Sequence, residues 1–328
     1  MTAKRIVVLG GGAWGTALAI TATRAGHDVS LWARDAATVD AINLRRENPR
    51  YLPGIGIDAD FRATTNMTEA CGDAECVLLS VPAQKLRAAL EAAHHAIPTN
   101  ATLVLCAKGI EVASGKFLSA VAAEILPANY IASLSGPSFA TDVAKGLPTA
   151  VAVAAPDADR AAEIASDLSS LMFRCYSTDD LAGVEAGGAL KNVLAIGAGA
   201  VAGAGLGASA HAALVTRGFV ELRRIATAFG ARPETLMGLS GLGDLVLTCG
   251  STQSRNFAYG LAVGKGQQLD NLPLAEGVAT CAIAARLIKE RGIDAPITEA
   301  IDLLLRGEAS VREAVTMLMT RPLRSEDK

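Results

Sequence analysis

Gly10-Gly-Gly-Ala-Trp-Gly15 spells GxGxxG. Glycines at that spacing suit the binding of a dinucleotide. Gly10 permits a tight turn, Gly12 lets the backbone approach a pyrophosphate, and Gly15 lets the next helix close on the preceding strand. Free N–H groups at the start of that helix then meet the phosphates. The pattern carries weight only between a strand and a helix, and Arg5–Leu9 reads as the strand and 13–25 as the helix. Asp35 lies twenty residues beyond Gly15, the offset of an acid on the adenosine ribose 2′-OH. Its neighbour Arg34 carries a guanidinium that suits a 2′-phosphate if the second strand ends at Ala33. The pair favours NADP and leaves NAD open.

Hydride transfer to a carbonyl needs a group that exchanges the proton on oxygen. The histidines are poor choices: His27 falls in a turn, His94 and His95 at a helix end, and His211 in an Ala-rich helical stretch. Lys191, in Gly187-Gly-Ala-Leu-Lys-Asn192, opens a long stretch without formal charge, where burial favours a neutral amine unless it has a partner or a task. Lys108 falls at the C-terminal end of a predicted parallel strand, the edge at which ligands of open α/β sheets collect. Taken alone, either lysine could equally be a snorkelling surface residue. Residues 240–249 read as a Gly-rich turn carrying one acid, Asp244. Ser254-Arg255-Asn256 at a helix start could cradle a phosphate, or Ser254 could simply cap the helix.

These residues need elements to position them. Strands are predicted at 5–9, 28–33, 75–81, 102–107, 130–134, 149–154 and 173–177, with helices at 13–25, 84–96 and 157–171 among them. That alternation indicates βαβ units and a mostly parallel sheet of Rossmann type. Pro53-Gly-Ile-Gly56 reads as a surface turn. Beyond residue 180 the chain becomes almost wholly helical, at 182–204, 210–228, 257–263, 275–291, 295–305 and 310–319. The expected organisation is an α/β cofactor-binding domain over 1–180 and an all-helical domain over 181–328.

A chain of 328 residues buries a large core without disulfides or metals. A hydrophobic share of 51% excludes a disordered chain, and a net charge of −3 argues against a broad nucleic-acid surface. Six scattered cysteines, with no CxxC, predict free thiols in a reducing cytoplasm and no metal site. The N-terminal apolar run resembles a signal peptide, but its three glycines belong to the nucleotide loop. Residues 193–215 are long enough to span a bilayer, yet they are mostly Ala and Gly, with Gly199 and Gly203 at GxxxG spacing. A buried, closely packed helix and no membrane span is the expectation. A homodimer is the default for a soluble oligomer.

Five segments, GGGAWGTALA, LSGPSFA at 134–140, GGALKNVLAIGAG at 187–199, GLGDLVLTC at 241–249 and SRN at 254–256, resemble bacterial NAD(P)-dependent glycerol-3-phosphate dehydrogenases. The resemblance implies interconversion of dihydroxyacetone phosphate, a small phosphorylated substrate, and sn-glycerol 3-phosphate, whose product serves glycerophospholipid synthesis. It implies that Lys191 is the general acid/base and that Lys108 contacts substrate and cofactor. Gly136, Ser138, Asp244, Ser254, Arg255 and Asn256 would contact substrate. Trp14, Arg34, Ala140, Arg255, Leu274 and Glu276 would contact the cofactor beside Gly10, Gly12 and Gly15.

The chain departs from the family pattern at Ala13, Asp142, Phe257 and Ala279-Thr-Cys281, positions that bear on cofactor affinity more than on the reaction. Two other readings remain open: a related reductase of a 3-hydroxy or 2-keto acid, and a non-catalytic NADPH sensor.

Overall fold

The structure is a computed structural model that describes residues 2–270 and 272–323. In chain order its sheet-forming part contains β1 (Arg5–Leu9), α1 (Ala13–Arg24), β2 (Asp28–Trp32), α2 (Ala36–Asp40), β3 (Glu47–Asn48), β4 (Leu52–Gly56), β5 (Arg62–Thr64), α3 (Met67–Cys71), β6 (Cys76–Leu79), α4 (Leu86–Ala93), β7 (Thr102–Leu105), α5 (Leu118–Ile125), β8 (Tyr130–Ser135), α6 (Ala140–Ala144), β9 (Thr149–Ala154), α7 (Ala158–Leu168) and β10 (Phe173–Thr178). There follow α8 (Leu181–Gly203), α9 (Ala208–Ala228), α10 (Pro233–Leu236), α11 (Asp244–Cys249), α12 (Arg255–Gly264), α13 (Glu276–Arg291), α14 (Pro296–Leu305) and α15 (Val311–Met319).

Eight strands form one sheet in the order β10-β9-β8-β7-β6-β1-β2-β5, parallel except where β8 meets β9. Apolar runs such as Ile6-Val-Val-Leu9 bury both faces. Ile6 and Val8 join one core cluster, Val7 and Leu9 the other, as the two-residue period of a strand requires. Strand order reverses at β1, which has β2 on one side and β6 on the other. Ligands of such sheets bind outside the carboxyl ends of the strands at that switch point, where residues 10–15 lie.

The chain forms two compact units, one running to Gly188 together with Gly230–Asp244, the other comprising Ala189–Phe229 and Leu245 onward. The first takes in the start of α8 because Leu181, Val184 and Leu239 pack against Ala152 and Ala154 of β9.

Three segments differ from the sequence expectation. Pro53–Gly56 is not a turn but part of β4, paired antiparallel with β3. A two-strand ribbon tolerates a proline, and Gly54 supplies a φ of +76°. Residues 239–243 form a wide helical turn that runs directly into α11, so the predicted Gly-rich turn is helical. Gly241 serves packing, since a Cβ there would lie 2.0 Å from the Leu236 carbonyl oxygen. The three-residue β5 and the helices α2, α3, α5, α6 and α10 were not expected, because a helix of four to eight residues spans little more than two turns and shows almost no periodicity.

In the second unit the small residues of α8 meet those of α12 at backbone distance. A Cβ on Gly199 would lie 2.1 Å from the Phe257 carbonyl oxygen, and one on Gly260 1.9 Å from that of Ile196. Gly203 and Gly264 are equally tight, at 2.3 Å from Leu261 O and 2.2 Å from Ala200 O. α8 is long and apolar enough to cross a membrane, and 89% of its most apolar window is buried within the fold.

Glu221 of α9 is buried and caps α14 from outside. Its carboxylate accepts the N–H groups of Ile297 and Thr298 at 2.8 to 3.0 Å, just after Pro296. Burial pushes its carboxyl up to about 7, with those bonds only partly opposing. A carboxyl raised in the folded state stabilises fully below the unfolded value of about 4.3 and loses that contribution as pH rises through about 7. Wild type is therefore expected to lose on the order of 3 kcal/mol more stability than Glu221→Gln between pH 5 and 8. Urea unfolding of both proteins at each pH checks this, and parallel losses would refute it.

Candidate active site

The glycine loop follows from the steric demands of its neighbours. Gly10 has φ +128°, and a Cβ there would lie 2.9 Å from the Ser80 carbonyl atoms. A Cβ on Gly15 would lie 1.8 Å from the Gly10 carbonyl oxygen. Gly12 differs: it is the N-cap of α1 without a side-chain cap, and nothing lies within 4 Å of where its Cβ would be. That leaves a helix N-terminus open to an anion. Trp14 packs half-buried against the core beneath it.

Two residues that sequence reasoning missed brace the loop. Asn48 of β3 is buried and donates to the Gly11 carbonyl at 3.0 Å and to Thr16 Oγ1 at 2.8 Å. Its Oδ1, and the Ser80 hydroxyl, are buried without a hydrogen-bond partner. Such orphaned polar atoms beside an uncapped helix start fit a bound dinucleotide. Only the short β3–β4 ribbon, which the sequence did not reveal, brings Asn48 here.

Ladder bonding at the end of β2 continues through Ala33, whose N–H donates to the Thr64 carbonyl at 3.1 Å. Arg34 follows, exposed. Asp35 caps α2, accepting the Thr38 hydroxyl at 2.7 Å and the Thr38 N–H at 3.2 Å, with Arg50 at 3.5 Å. The Thr38 hydroxyl, then its N–H and Arg50, hold the Asp35 carboxyl below its ordinary range. The acid at the expected offset thus already has partners, while the adjacent guanidinium is exposed.

The first unit also brings together Lys108, Gly136, Ser138 and Asp244. Lys108 Nζ donates to Asp244 Oδ2 at 2.6 Å and to the Gly136 carbonyl at 3.2 Å. Ser138 Oγ donates to the same carbonyl at 3.0 Å. Asp244 is 1% exposed at the start of α11, and that lysine sets an opposite charge directly beside it. Gly136 has φ +157°, and a Cβ there would lie 2.8 Å from Val151 Cα. Ala140 begins α6 just beyond.

In the second unit Lys191 is 3% exposed on α8. Beside it in sequence, Asn192 accepts from Asn256 Nδ2 at 2.9 Å, and Asn256 Oδ1 accepts the Gly277 N–H at 2.9 Å. One amide side chain thereby ties α8, α12 and α13 together, a structural task that the sequence reading did not assign to Asn256. Ser254 caps α12 through the Phe257 N–H at 3.3 Å, the simpler of the two readings offered for it. Arg255, the first residue of α12, is exposed, as is Leu274, while Glu276 opens α13 half-buried.

Two of the histidines have structural hydrogen-bond partners, and His94 and His95 pack edge-on against each other. His27 accepts the Lys4 N–H at Nδ1, so its Nε2 carries the proton donated to the Asp167 carbonyl. His211 Nε2 bonds the Cys249 carbonyl at 2.9 Å. Among the described residues no cluster of His, Cys, Asp or Glu is placed to hold a metal ion.

The chain is similar to known proteins over most of its length. Residues 5–161 match the family described as NAD-dependent glycerol-3-phosphate dehydrogenase N-terminus, and 180–316 match its C-terminus. A protein of Mesorhizobium japonicum named glycerol-3-phosphate dehydrogenase [NAD(P)+] is 64% identical over 98% of this chain and 94% of its own. One of the same name from a Chelativorans species is 61% identical over 98% of each chain. The crystal structure of glycerol-3-phosphate dehydrogenase from Coxiella burnetii superposes with a TM-score of 0.91 at 35% identity, covering 97% of this chain and 99% of that one. With both halves matched and a glycine loop built to admit a dinucleotide, the chain belongs to the NAD-dependent glycerol-3-phosphate dehydrogenase family.

Proposed function

We propose that the protein interconverts dihydroxyacetone phosphate and sn-glycerol 3-phosphate with NADPH or NADH. The observation that carries this reading is that both halves of the chain match one dehydrogenase family. The dinucleotide would be held by Gly10, Gly12, Trp14, Gly15, Arg34, Lys108, Ala140, Arg255, Leu274 and Glu276, and when bound it supplies the hydride.

Lys191 donates a proton to the carbonyl oxygen in reduction and accepts it from the hydroxyl in oxidation. Its buried setting strengthens the hydrogen bond that stabilises the developing alkoxide. Arg255 holds the substrate phosphate, with Ser254 and Asn256 fixing the start of α12 from which it projects. Lys108, kept in place by Asp244 and Gly136, serves substrate and cofactor, with Ser138 beside it. Binding at the phosphate orients the reacting carbon.

The same reading takes 1–180 as the cofactor-binding domain and 181–328 as the substrate-binding and catalytic domain, although Arg255, Leu274 and Glu276 also serve the cofactor and Lys108, Gly136 and Ser138 the substrate. It describes a cytoplasmic homodimer without a membrane span whose product feeds glycerophospholipid synthesis. The exposed Arg34 beside an engaged Asp35 supports NADP over NAD.

The test is oxidation of NADPH, then NADH, with dihydroxyacetone phosphate and with unphosphorylated dihydroxyacetone. Rapid oxidation with the phosphorylated ketone alone is expected, faster with NADPH. Turnover that ignores the phosphate would favour a keto-acid reductase. Tight NADPH binding without any turnover would make the protein a sensor.

A further inference from the structure

Glu185 is a buried carboxylate to which the reaction above gives no task. It lies on α8, 9% exposed, and its carboxylate sits on the first turn of α5. Oε1 accepts the Ser119 N–H at 2.9 Å, and Oε2 accepts the Ser119 hydroxyl. Glu185 also lines a small cavity with Lys108, Ser133, Ser135 and Gly188, whose room of about 10 Å³ for water centres suits one water. Ser135 is 2% exposed there, and its hydroxyl has no hydrogen-bond partner.

Glu185 and Gly188 are three residues apart and share a face of α8. A Cβ on Gly188 would lie 2.7 Å from Ser135 Oγ and 3.4 Å from Lys108 Cγ. The face that carries Glu185 therefore packs on Ser135 and on the aliphatic stem of Lys108. Burial pushes the Glu185 carboxyl up to about 7, the Ser119 hydroxyl and N–H opposing in part. Lys108 is the other charged residue lining the cavity.

When neutral, Glu185 can offer its O–H to Ser135 or to a water in the cavity, and the Lys108 ammonium stays on Asp244 and Gly136. When ionised, it puts an anion in a poorly solvated cavity that Lys108 also lines. We propose that Glu185 is a positioning residue for Lys108: protonated, it leaves Lys108 on Asp244, and ionised, it draws Lys108 away and slows the reaction.

This inference rests on the dehydrogenase reading, and its test separates the two. Reduction consumes a proton and oxidation releases one, so the pH dependence of the chemistry itself has opposite slopes in the two directions. A Lys108 pulled from its seat slows both. The ratio of kcat/KM for Glu185→Gln over wild type should therefore rise by at least about threefold from pH 6 to 8 in both directions, since the wild-type carboxyl ionises over that range while glutamine stays neutral. NADPH affinity at pH 6, where residue 185 is largely neutral in both proteins, should be the same. A flat ratio, as a purely structural role would produce, would overturn the proposal.

Should the glutamine variant misfold, Ser119→Ala provides the second reading. It removes a bond that favours the ionised form, so the inflection should move to higher pH. An unmoved or lowered inflection overturns the proposal. Infrared titration of the wild-type carboxyl band, assigned by its absence in Glu185→Gln or by its shift in Ser119→Ala, follows Glu185 without turnover. A missing midpoint near neutrality refutes the inference, whereas an intact midpoint with no turnover refutes the dehydrogenase reading.

Discussion

Replacing Lys191 with alanine should lower kcat by at least about a hundredfold, the lower end of what a positioned general acid contributes. NADPH affinity should change little, because the proton-transfer group acts on the substrate oxygen. The residue is 3% exposed on α8, so truncation also removes buried volume. Lys191→Met separates the two effects, since it keeps most of the side-chain length and lacks the amine. Equal losses in both variants, with urea unfolding curves close to wild type for methionine, assign the effect to the amine. A methionine variant that retains a third of wild-type kcat would remove Lys191 from the mechanism.

The second large effect concerns two glycines three residues apart whose replacements should fail in different ways. Gly12→Ala meets no atom within 4 Å and has a backbone any residue can adopt, so the fold should change stability by no more than about 1 kcal/mol. The methyl group would instead occupy the approach of a pyrophosphate, and NADPH affinity should fall at least about tenfold, or about 1.4 kcal/mol. Gly15→Ala sets a Cβ 1.8 Å from a backbone oxygen that cannot swing away, so it should destabilise the protein by about 1–3 kcal/mol or more. Denaturant unfolding and fluorescence titration with NADPH, run on both variants, give the comparison. A Gly12→Ala protein that binds NADPH as tightly as wild type would remove the loop from cofactor binding.

Those two glycines also show how much could be read from residues alone. GxGxxG was legible because Gly10 and Gly15 answer local steric demands between one strand and one helix while Gly12 leaves the helix start open, and the long strands and helices were legible because each spans several periods. The glycines at 241 and 243 misled for the same reason: in sequence they look like turn formers, and only contact with Leu236 shows that closeness, not flexibility, selects Gly241. Lys108 could be placed at a strand end, but its pairing with Asp244 joins residues 136 positions apart, which no spacing encodes. Asn48 was invisible because the ribbon that carries it is two residues wide on one side. Glu185 and Glu221 look like ordinary surface carboxylates in sequence. Burial, which gives them neutral-range acidity, is a property of the packed chain.

The contact of α8 with α12 has a mechanical consequence. Helices usually meet through a layer of side chains whose torsions absorb small displacements, and here that layer is missing along four glycines. Nothing compressible separates the two backbones, so a push on one is carried undiminished to the other. Sliding α12 past α8 by one residue would drive a side chain onto a carbonyl oxygen, which leaves the pair a single register without neighbouring stops. The start of α12, where Arg255 projects, and the stretch of α8 after Lys191 therefore behave as one stiff girder.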